Sequence, residues 1–214
     1  MEGNIEIRVA RAQDAEALAR IYAYYVEKTA ITFEYEAPDA AEMEARRKEI
    51  LEHYPYLVAE QAGHVLGYAY AHVFYGRAAY AWSVEVSIYV ASDARGQGLG
   101  RKLYAALEDA LRGMGVLNIN ACIAVPRTES DPYLTNGSLA FHKRLGYNMV
   151  GIFHQSGCKF GRWYDVVWME KMLGEHEEPP GSRAGFPWYR SMNEKEALSR
   201  ISFARQRSFC DSFL

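Results

Sequence analysis

The stretch from Val84 to Gly113 constrains the fold more than any other part of the chain. Val84, Val86, Ile88 and Val90 alternate with Glu85, Ser87 and Tyr89, so one face of a period-two strand is wholly apolar. The strand runs through Ala91-Ser92-Asp93-Ala94 into Arg95-Gly96-Gln97-Gly98-Leu99-Gly100. Leu99, Leu103, Ala106, Leu107, Ala110 and Leu111 then recur at helical spacing and predict a helix from about Gly98 to Gly113. A glycine loop between a strand and a helix start leaves backbone N–H groups pointing outward, where the helix dipole favours an anion. Glycine also lets the backbone approach a phosphate closely, so a pyrophosphate is the natural guest. Two common phosphate loops do not fit. The dinucleotide fingerprint needs GxGxxG in the first strand–helix unit, with an acid about 20 residues on. Here the glycines fall as GxGxG, late in the chain. The other loop, GxxxxGK[ST], is absent.

The remaining elements follow from the same periodicities. Ile5, Ile7 and Val9 alternate as a short strand, and residues 13–28 carry Ala17, Leu18, Ile21 and Tyr25 on one helical face. Pro38-Asp39 opens a second helix to about Leu51. Tyr56 to Glu60 and Val65 to Phe74 flank the turn Ala62-Gly63-His64 and read as a hairpin. Leu117 to Val125 is a strand, Asn136 to Leu145 a short helix stopped by Gly146, and Tyr147 to Phe153 and Trp163 to Met172 are two final strands. Past Leu173 the residues turn linker-like, from Gly174 to Ser182, with one more helix predicted over 192–207. Residues 1–173 are therefore read as the domain and 174–214 as an extension.

Composition bounds the function. Half of the 214 residues are hydrophobic and 24 % are charged, enough for a packed core of ordinary size. With 24 basic and 27 acidic residues, nothing calls for nucleic acid or an anionic membrane. Cys122, Cys158 and Cys210 are odd in number and form no CxxC pair, which fits reduced thiols in a cytoplasmic protein. Cys122, in an apolar strand, reads as an inert buried thiol. His154 and Cys158 are four apart without a third ligand, so no metal is expected. The N-terminus lacks a basic start and an apolar stretch, and no run nears 18 apolar residues, so neither a signal peptide nor a membrane span is predicted.

Arg95, Gly98 and Gly100 form R-x-x-G-x-G, a pattern that resembles the acyl-CoA pyrophosphate loop of the GNAT N-acetyltransferases. Thr29 to Glu34, Tyr80 to Glu85, Ser138 to Tyr147 and Lys159 to Asp165 look like the phosphinothricin and methionine sulfoximine acetyltransferases within that family. The resemblance spans about residues 5–172 in the family's order of elements. It implies an α/β fold with a mixed, largely antiparallel sheet flanked by helices and splayed at 84–90 to admit CoA. It also implies acetyl-CoA as co-substrate, the α-amine of a small amino-acid-like compound as acceptor, and a homodimer. Two stretches depart from the subgroup. Pro126 to Thr135 is longer than its usual loop and lies where substrate and cofactor should meet, and the tail after Leu173 is extra.

Acetyl transfer from a thioester to an amine needs a base for the amine, donors for the tetrahedral oxyanion, and a proton for the leaving thiolate. Glu85 projects from the strand opposite the apolar face and is the candidate base. The resemblance implies that backbone groups of Ile88, Tyr89 and Val90 pair with the pantetheine arm, with the amide near Ile88 as oxyanion donor. It likewise assigns Arg95, Gly96, Gln97, Gly98, Leu99 and Gly100 to the pyrophosphate, and His142 as the acid or base where many relatives carry tyrosine. Asn136 and Ser138 are placed beside the cofactor, although the usual asparagine slot, seven before the histidine, holds Thr135. Phe33, Glu34, Arg77 and Tyr80 join Glu85 as substrate candidates, with Arg77 the natural fork for a carboxylate. Two other readings stay open. Acids Glu129 and Asp131 in the long loop suit a cationic acceptor such as a polyamine or aminoglycoside, and a protein N-terminus is a third amine. A non-catalytic acyl-CoA-binding module is the other reading, against which stand both Glu85 and His142.

Overall fold

A computed structural model describes residues 4–181. In chain order the elements are β1 (Glu6–Val9), α1 (Ala15–Lys28), α2 (Ala40–Leu51), β2 (Tyr56–Gln61), β3 (His64–Val73), β4 (Ser83–Val90), α3 (Leu99–Gly113), β5 (Asn118–Val125), α4 (Gly137–Arg144), β6 (Asn148–Lys159) and β7 (Arg162–Met172). The seven strands form one open sheet in the order β1-β2-β3-β4-β5-β7-β6. Every neighbouring pair is antiparallel except β4 and β5, which run parallel. The expected mixed, largely antiparallel architecture is thus present.

Alternation along the strands sorts the apolar residues onto two faces. On one face Val84 and Val86 of β4 and Ile119, Ala121 and Ile123 of β5 pack against Leu99, Leu103, Leu107 and Leu111 of α3. Each such leucine contributes about 1.5–3 kcal/mol by burial. On the other face Leu18, Ile21, Tyr22 and Tyr25 of α1 and Met43 of α2 cover Tyr56, Val58 and Tyr68. Asp39 caps α2 by accepting from the Glu42 amide at 2.8 Å, as Pro38-Asp39 foretells. Arg8, buried at the start of the sheet, forks onto both oxygens of Asp14 at 2.7 and 2.8 Å and reaches Glu60 at 2.7 Å. That network ties β1 and β2 to the entry of α1.

Two expectations are corrected. The splay does not begin at Val84. Ser83, Val84 and Glu85 pair with Asn118, Ile119 and Asn120, and the Asn120 side-chain amide donates to the Val84 carbonyl at 3.1 Å. The ladder ends there, so the gap opens over 86–90. The sixth strand does not stop at Phe153 but continues to Lys159. Its register shifts between Phe153 and Gly157, with Gln155 at φ 50° and its amide held by Asp165 at 2.8 Å. Gln155-Ser156-Gly157 looks like a turn because it is a bulge. The loop 126–135 packs against the segment after α1 and the β6–β7 turn, beside Ala124 at the end of β5. Ala30 donates to the Tyr133 carbonyl at 3.0 Å, Tyr133 stacks on Phe160, and Asp131 accepts from the Tyr133 amide and the Tyr164 hydroxyl.

The first residues of the expected extension run back along the closed end of β4 and β5. Leu173 bonds to Leu117 (2.8 Å), His176 lies 2.7 Å from the Asn118 amide oxygen, and the Trp82 indole donates to Gly181 at 3.3 Å. The helix expected over 192–207 lies outside the described residues. Among the described residues no helix is long and apolar enough to cross a membrane.

Candidate active site

Gly96 and Gly98 adopt φ of 80° and 77°, a region closed to most side chains. Gly98 is the residue that opens α3. A Cβ on either glycine meets no atom within 4 Å, so the space above this loop is free for a ligand. The backbone amides leading into α3 therefore face an open, dipole-favoured anion cradle. Gly100 serves another purpose: a Cβ there would lie 2.9 Å from the Phe141 ring, so its absence lets α3 pack on α4. Gln97 is exposed, whereas the Leu99 side chain is buried and only its backbone belongs to the cradle. Arg95 lies over the rings of Tyr24 and Tyr25 at 5.1 and 5.0 Å.

The freed edge of β4 lies beside this cradle. Ala91 donates to Leu66 of β3 at 2.8 Å, so by alternation the amide and carbonyl of Val90 point away from β3 into the gap. Ile88 shares that edge. At Val90 both groups are already engaged: the Tyr25 hydroxyl donates to the carbonyl at 2.6 Å and accepts from the amide at 3.0 Å. The Tyr89 side chain packs edge-on against Tyr22 and Tyr25, with centroids 4.9 and 5.0 Å apart.

Glu85 stands on the last paired rung before the gap, opposite His72 on β3 and Asn120 on β5. Its side chain is 22 % exposed. Burial pushes its carboxyl up to about 7, because water that would solvate the anion is excluded. His72 Nε2 lies 3.8 Å from Glu85 Oε1. Cys122, two residues past Asn120 and on the same face of β5, is exposed rather than buried. The alternation that buries Ile123 in the α3 core turns Cys122 toward the other face. Crowding and the charge of Glu85 still raise its thiol to about 11, which keeps it protonated at neutral pH.

His142 belongs to the opposite face, 3 % exposed among Tyr104, Phe141 and Tyr147. Its Nδ1 is 2.8 Å from the Ser138 carbonyl, which can only accept. Nδ1 therefore carries the hydrogen, and Nε2 accepts from the Tyr104 hydroxyl at 3.1 Å. Burial lowers its pKa, so the ring is neutral. Glu85 and His142 are thus not brought together on one face. Phe141 links His142 to the gap, since it lies against Gly100 beside Ile88. Asn136 and Ser138 stand at the start of α4, where Thr135 accepts from the Gly137 amide at 3.3 Å.

The substrate candidates scatter around the gap. Arg77 and Tyr80 occupy the exposed β3–β4 loop, and Tyr80 packs on Phe74, which touches Trp168 of β7. Phe33 leans on Tyr164 and fills the space left by Gly157. Glu34 is committed elsewhere: Arg46 of α2 grips both its oxygens at 2.8 and 3.0 Å, and Tyr22 donates at 2.8 Å. Burial alone would raise its pKa, but these donors hold it below the usual carboxylate range. Asp131 is likewise tied down, accepting from the Tyr133 amide and the Tyr164 hydroxyl and lying 3.7 Å from Arg162, which weakens the case for a cationic acceptor. His72, Tyr25 and Asn120 carry no sequence motif; only the strand register brings them to the site. Among the described residues no group of three or more His, Cys, Asp or Glu is placed to hold a metal ion.

Comparison with known proteins gives a consistent picture. A family model described as an acetyltransferase (GNAT) domain matches residues 7–168. A phosphinothricin N-acetyltransferase from Alcaligenes faecalis is 38 % identical over 168 residues, covering 78 % of this chain and 82 % of that protein. An L-methionine sulfoximine/L-methionine sulfone acetyltransferase from Salmonella typhimurium is 35 % identical, covering 81 % and 97 %. Among solved structures, a GNAT superfamily phosphinothricin acetyltransferase from Sinorhizobium meliloti in complex with AcCoA superposes with a TM-score of 0.75 at 34 % identity, covering 86 % of this chain and 96 % of that one.

Proposed function

This chain belongs to the GNAT acetyltransferase family and is an N-acetyltransferase, and on that premise we propose that it moves the acetyl group of acetyl-CoA onto the α-amine of a small amino-acid-like acceptor of the methionine sulfone, methionine sulfoximine or phosphinothricin type. The observation that carries the reading is the position of Glu85: a half-buried carboxylate, raised to about 7, on the last rung before the sheet opens. The residues divide the work as follows. The amides of Gly96 to Gly100 hold the pyrophosphate, and the β4 edge at Ile88 pairs with the pantetheine arm and polarises the thioester carbonyl. Glu85 takes the proton from the incoming ammonium, and the free amine attacks the thioester directly. The second proton of the attacking nitrogen passes to the departing thiolate as the tetrahedral intermediate collapses, giving CoA thiol, while His142, whose Nδ1 donates to Ser138 and whose Nε2 accepts from Tyr104, packs with Phe141 at the wall of the gap. Arg77 is assigned to the acceptor's carboxylate.

The test is release of CoA thiol with L-methionine sulfone, L-methionine sulfoximine and phosphinothricin beside spermidine and an aminoglycoside. Turnover confined to the first three is expected. Turnover confined to the cationic amines would reject the acceptor class.

The same reading covers location, assembly and boundaries. The enzyme is taken to be cytoplasmic, with residues 1–173 as the catalytic domain and 174–214 as an extension. It is also taken to pair with a second copy through the sheet edge β6, whose Val150 and Phe153 are 60 % and 59 % exposed. An uncovered apolar edge strand is otherwise a site of uncontrolled association. Light scattering is expected to give twice the chain mass; a monomer removes this part of the reading.

A further inference from the structure

A proton accepted by Glu85 has to leave before the next turnover, and the structure holds a second group placed to receive it. His72 lies directly across the β3–β4 ladder from Glu85, with Nε2 3.8 Å from Oε1. That separation exceeds a hydrogen bond, but a small side-chain rotation closes it, and catalytic contacts are commonly long before substrate binds. The other ring nitrogen fixes the tautomer. His72 Nδ1 is 3.2 Å from the Val73 carbonyl, an acceptor only, so Nδ1 carries the hydrogen and Nε2 turns its lone pair to Glu85.

The ring also has somewhere to send the proton. It lines a cavity of about 420 Å³ between α2 and the sheet. The other charged or titratable groups around that cavity are Arg46 and Glu49 from α2, His53 and Tyr54 after it, Tyr22 from α1, and Tyr56, Tyr68 and Tyr70 from β2 and β3. Arg46 is occupied by Glu34, so it adds little free positive charge beside the ring. His72 lines this cavity while its Nε2 stands 3.8 Å from Glu85, so the imidazole adjoins both the base and the cavity.

We propose that His72 is a proton relay for Glu85, carrying the proton taken from the acceptor's ammonium to water in the α2 cavity. The proposal rests on Glu85 being the base. In each turnover the ammonium N–H breaks as the Glu85 O–H forms. The Glu85 O–H then breaks as His72 Nε2–H forms, and, as the ring swings toward the cavity it lines, that same Nε2–H breaks and its proton passes to water, restoring the carboxylate and the neutral Nδ1–H ring. Burial raises Glu85 to about 7 and lowers His72 from its usual value, so the ring passes the proton on to water rather than keeping it.

The test is initial rates with L-methionine sulfone in dilute non-imidazole buffer for the wild type, His72→Ala, His72→Gln and Glu85→Gln, each with and without added imidazole. Both His72 variants are expected to lose about tenfold in kcat, the lower end of what proton transfer contributes, with KM for the sulfone nearly unchanged. Imidazole, which reaches the space vacated in His72→Ala, is expected to restore most of that variant's loss. A wild-type kcat in both variants overturns the relay, as does a loss that imidazole leaves untouched. Glu85→Gln separates the two levels: full turnover there removes the base itself, whereas lost turnover there beside unaltered His72 variants removes only the relay.

Discussion

Glu85→Gln is expected to lower turnover of L-methionine sulfone by about 10²–10⁴-fold at neutral pH while acetyl-CoA still binds. The amide keeps the shape and hydrogen-bonding capacity of the side chain on its rung between His72 and Asn120, so neither the sheet nor the glycine cradle is disturbed. What disappears is the carboxylate assigned to take the ammonium's proton. A solvated glutamate sits near 4.3 and is a weak base; this one is raised to about 7 by burial alone. The loss should be read by CoA thiol release for turnover and by calorimetry for binding. Retained turnover would remove Glu85 from the chemistry. Lost acetyl-CoA binding would show that the substitution reaches the cradle.

The second large effect is expected at the cradle. Gly98→Val places a β-branched residue at φ 77°, the conformation that opens α3, at a cost of about 1–2 kcal/mol to the fold. For a domain of this size each kcal/mol lowers Tm by about 2–4 °C, so the chain should still fold. Nothing lies within 4 Å of the new Cβ in the ligand-free chain, so the added side chain intrudes on the space left for phosphate. Amide contacts to a charged phosphate are worth about 1.5–3 kcal/mol each, and losing one or two weakens acetyl-CoA by at least about tenfold. The signature is a rise in the acetyl-CoA dissociation constant much larger than the shift in Tm implies. A dissociation constant within about twofold of wild type would mean that the pyrophosphate lies elsewhere.

Much of this arrangement is legible in the chain. Strict alternation from Val84 to Val90 and the leucine rhythm from Leu99 to Leu111 leave one solution for β4 and α3, because each has a single apolar face to bury. The glycines between them name the ligand class. The hidden part is what depends on register and on partners far apart in sequence. Nothing local says that His72 faces Glu85, since a one-residue slip of the hairpin would send His72 to the other side of the sheet. The Arg46 grip on Glu34 joins a loop to a helix 12 residues on, so Glu34 reads as free for substrate when it is not. Cys122 reads as buried because its neighbours Ala121 and Ile123 are, yet its own face of β5 is left uncovered. Similarly, His142 carries the right residue type at the right spacing, but only packing reveals that both its nitrogens are engaged inside the core. The helix expected over 192–207 and Cys210 lie outside the described residues.

The most direct test of the chemistry is the pH dependence of kcat/KM for L-methionine sulfone in the wild type and in Glu85→Gln. The productive pair is a Glu85 carboxylate and an acceptor ammonium. Wild-type kcat/KM should therefore rise with pH and level off above about 7, where the buried carboxyl has ionised. In Glu85→Gln only amine that is already free can attack, so the rising limb should move up to the α-amine's own titration, near 8 for an unperturbed group. A rising limb at the same pH in both proteins, or a wild-type profile that is flat through about 7, would contradict the assignment of Glu85 as the base.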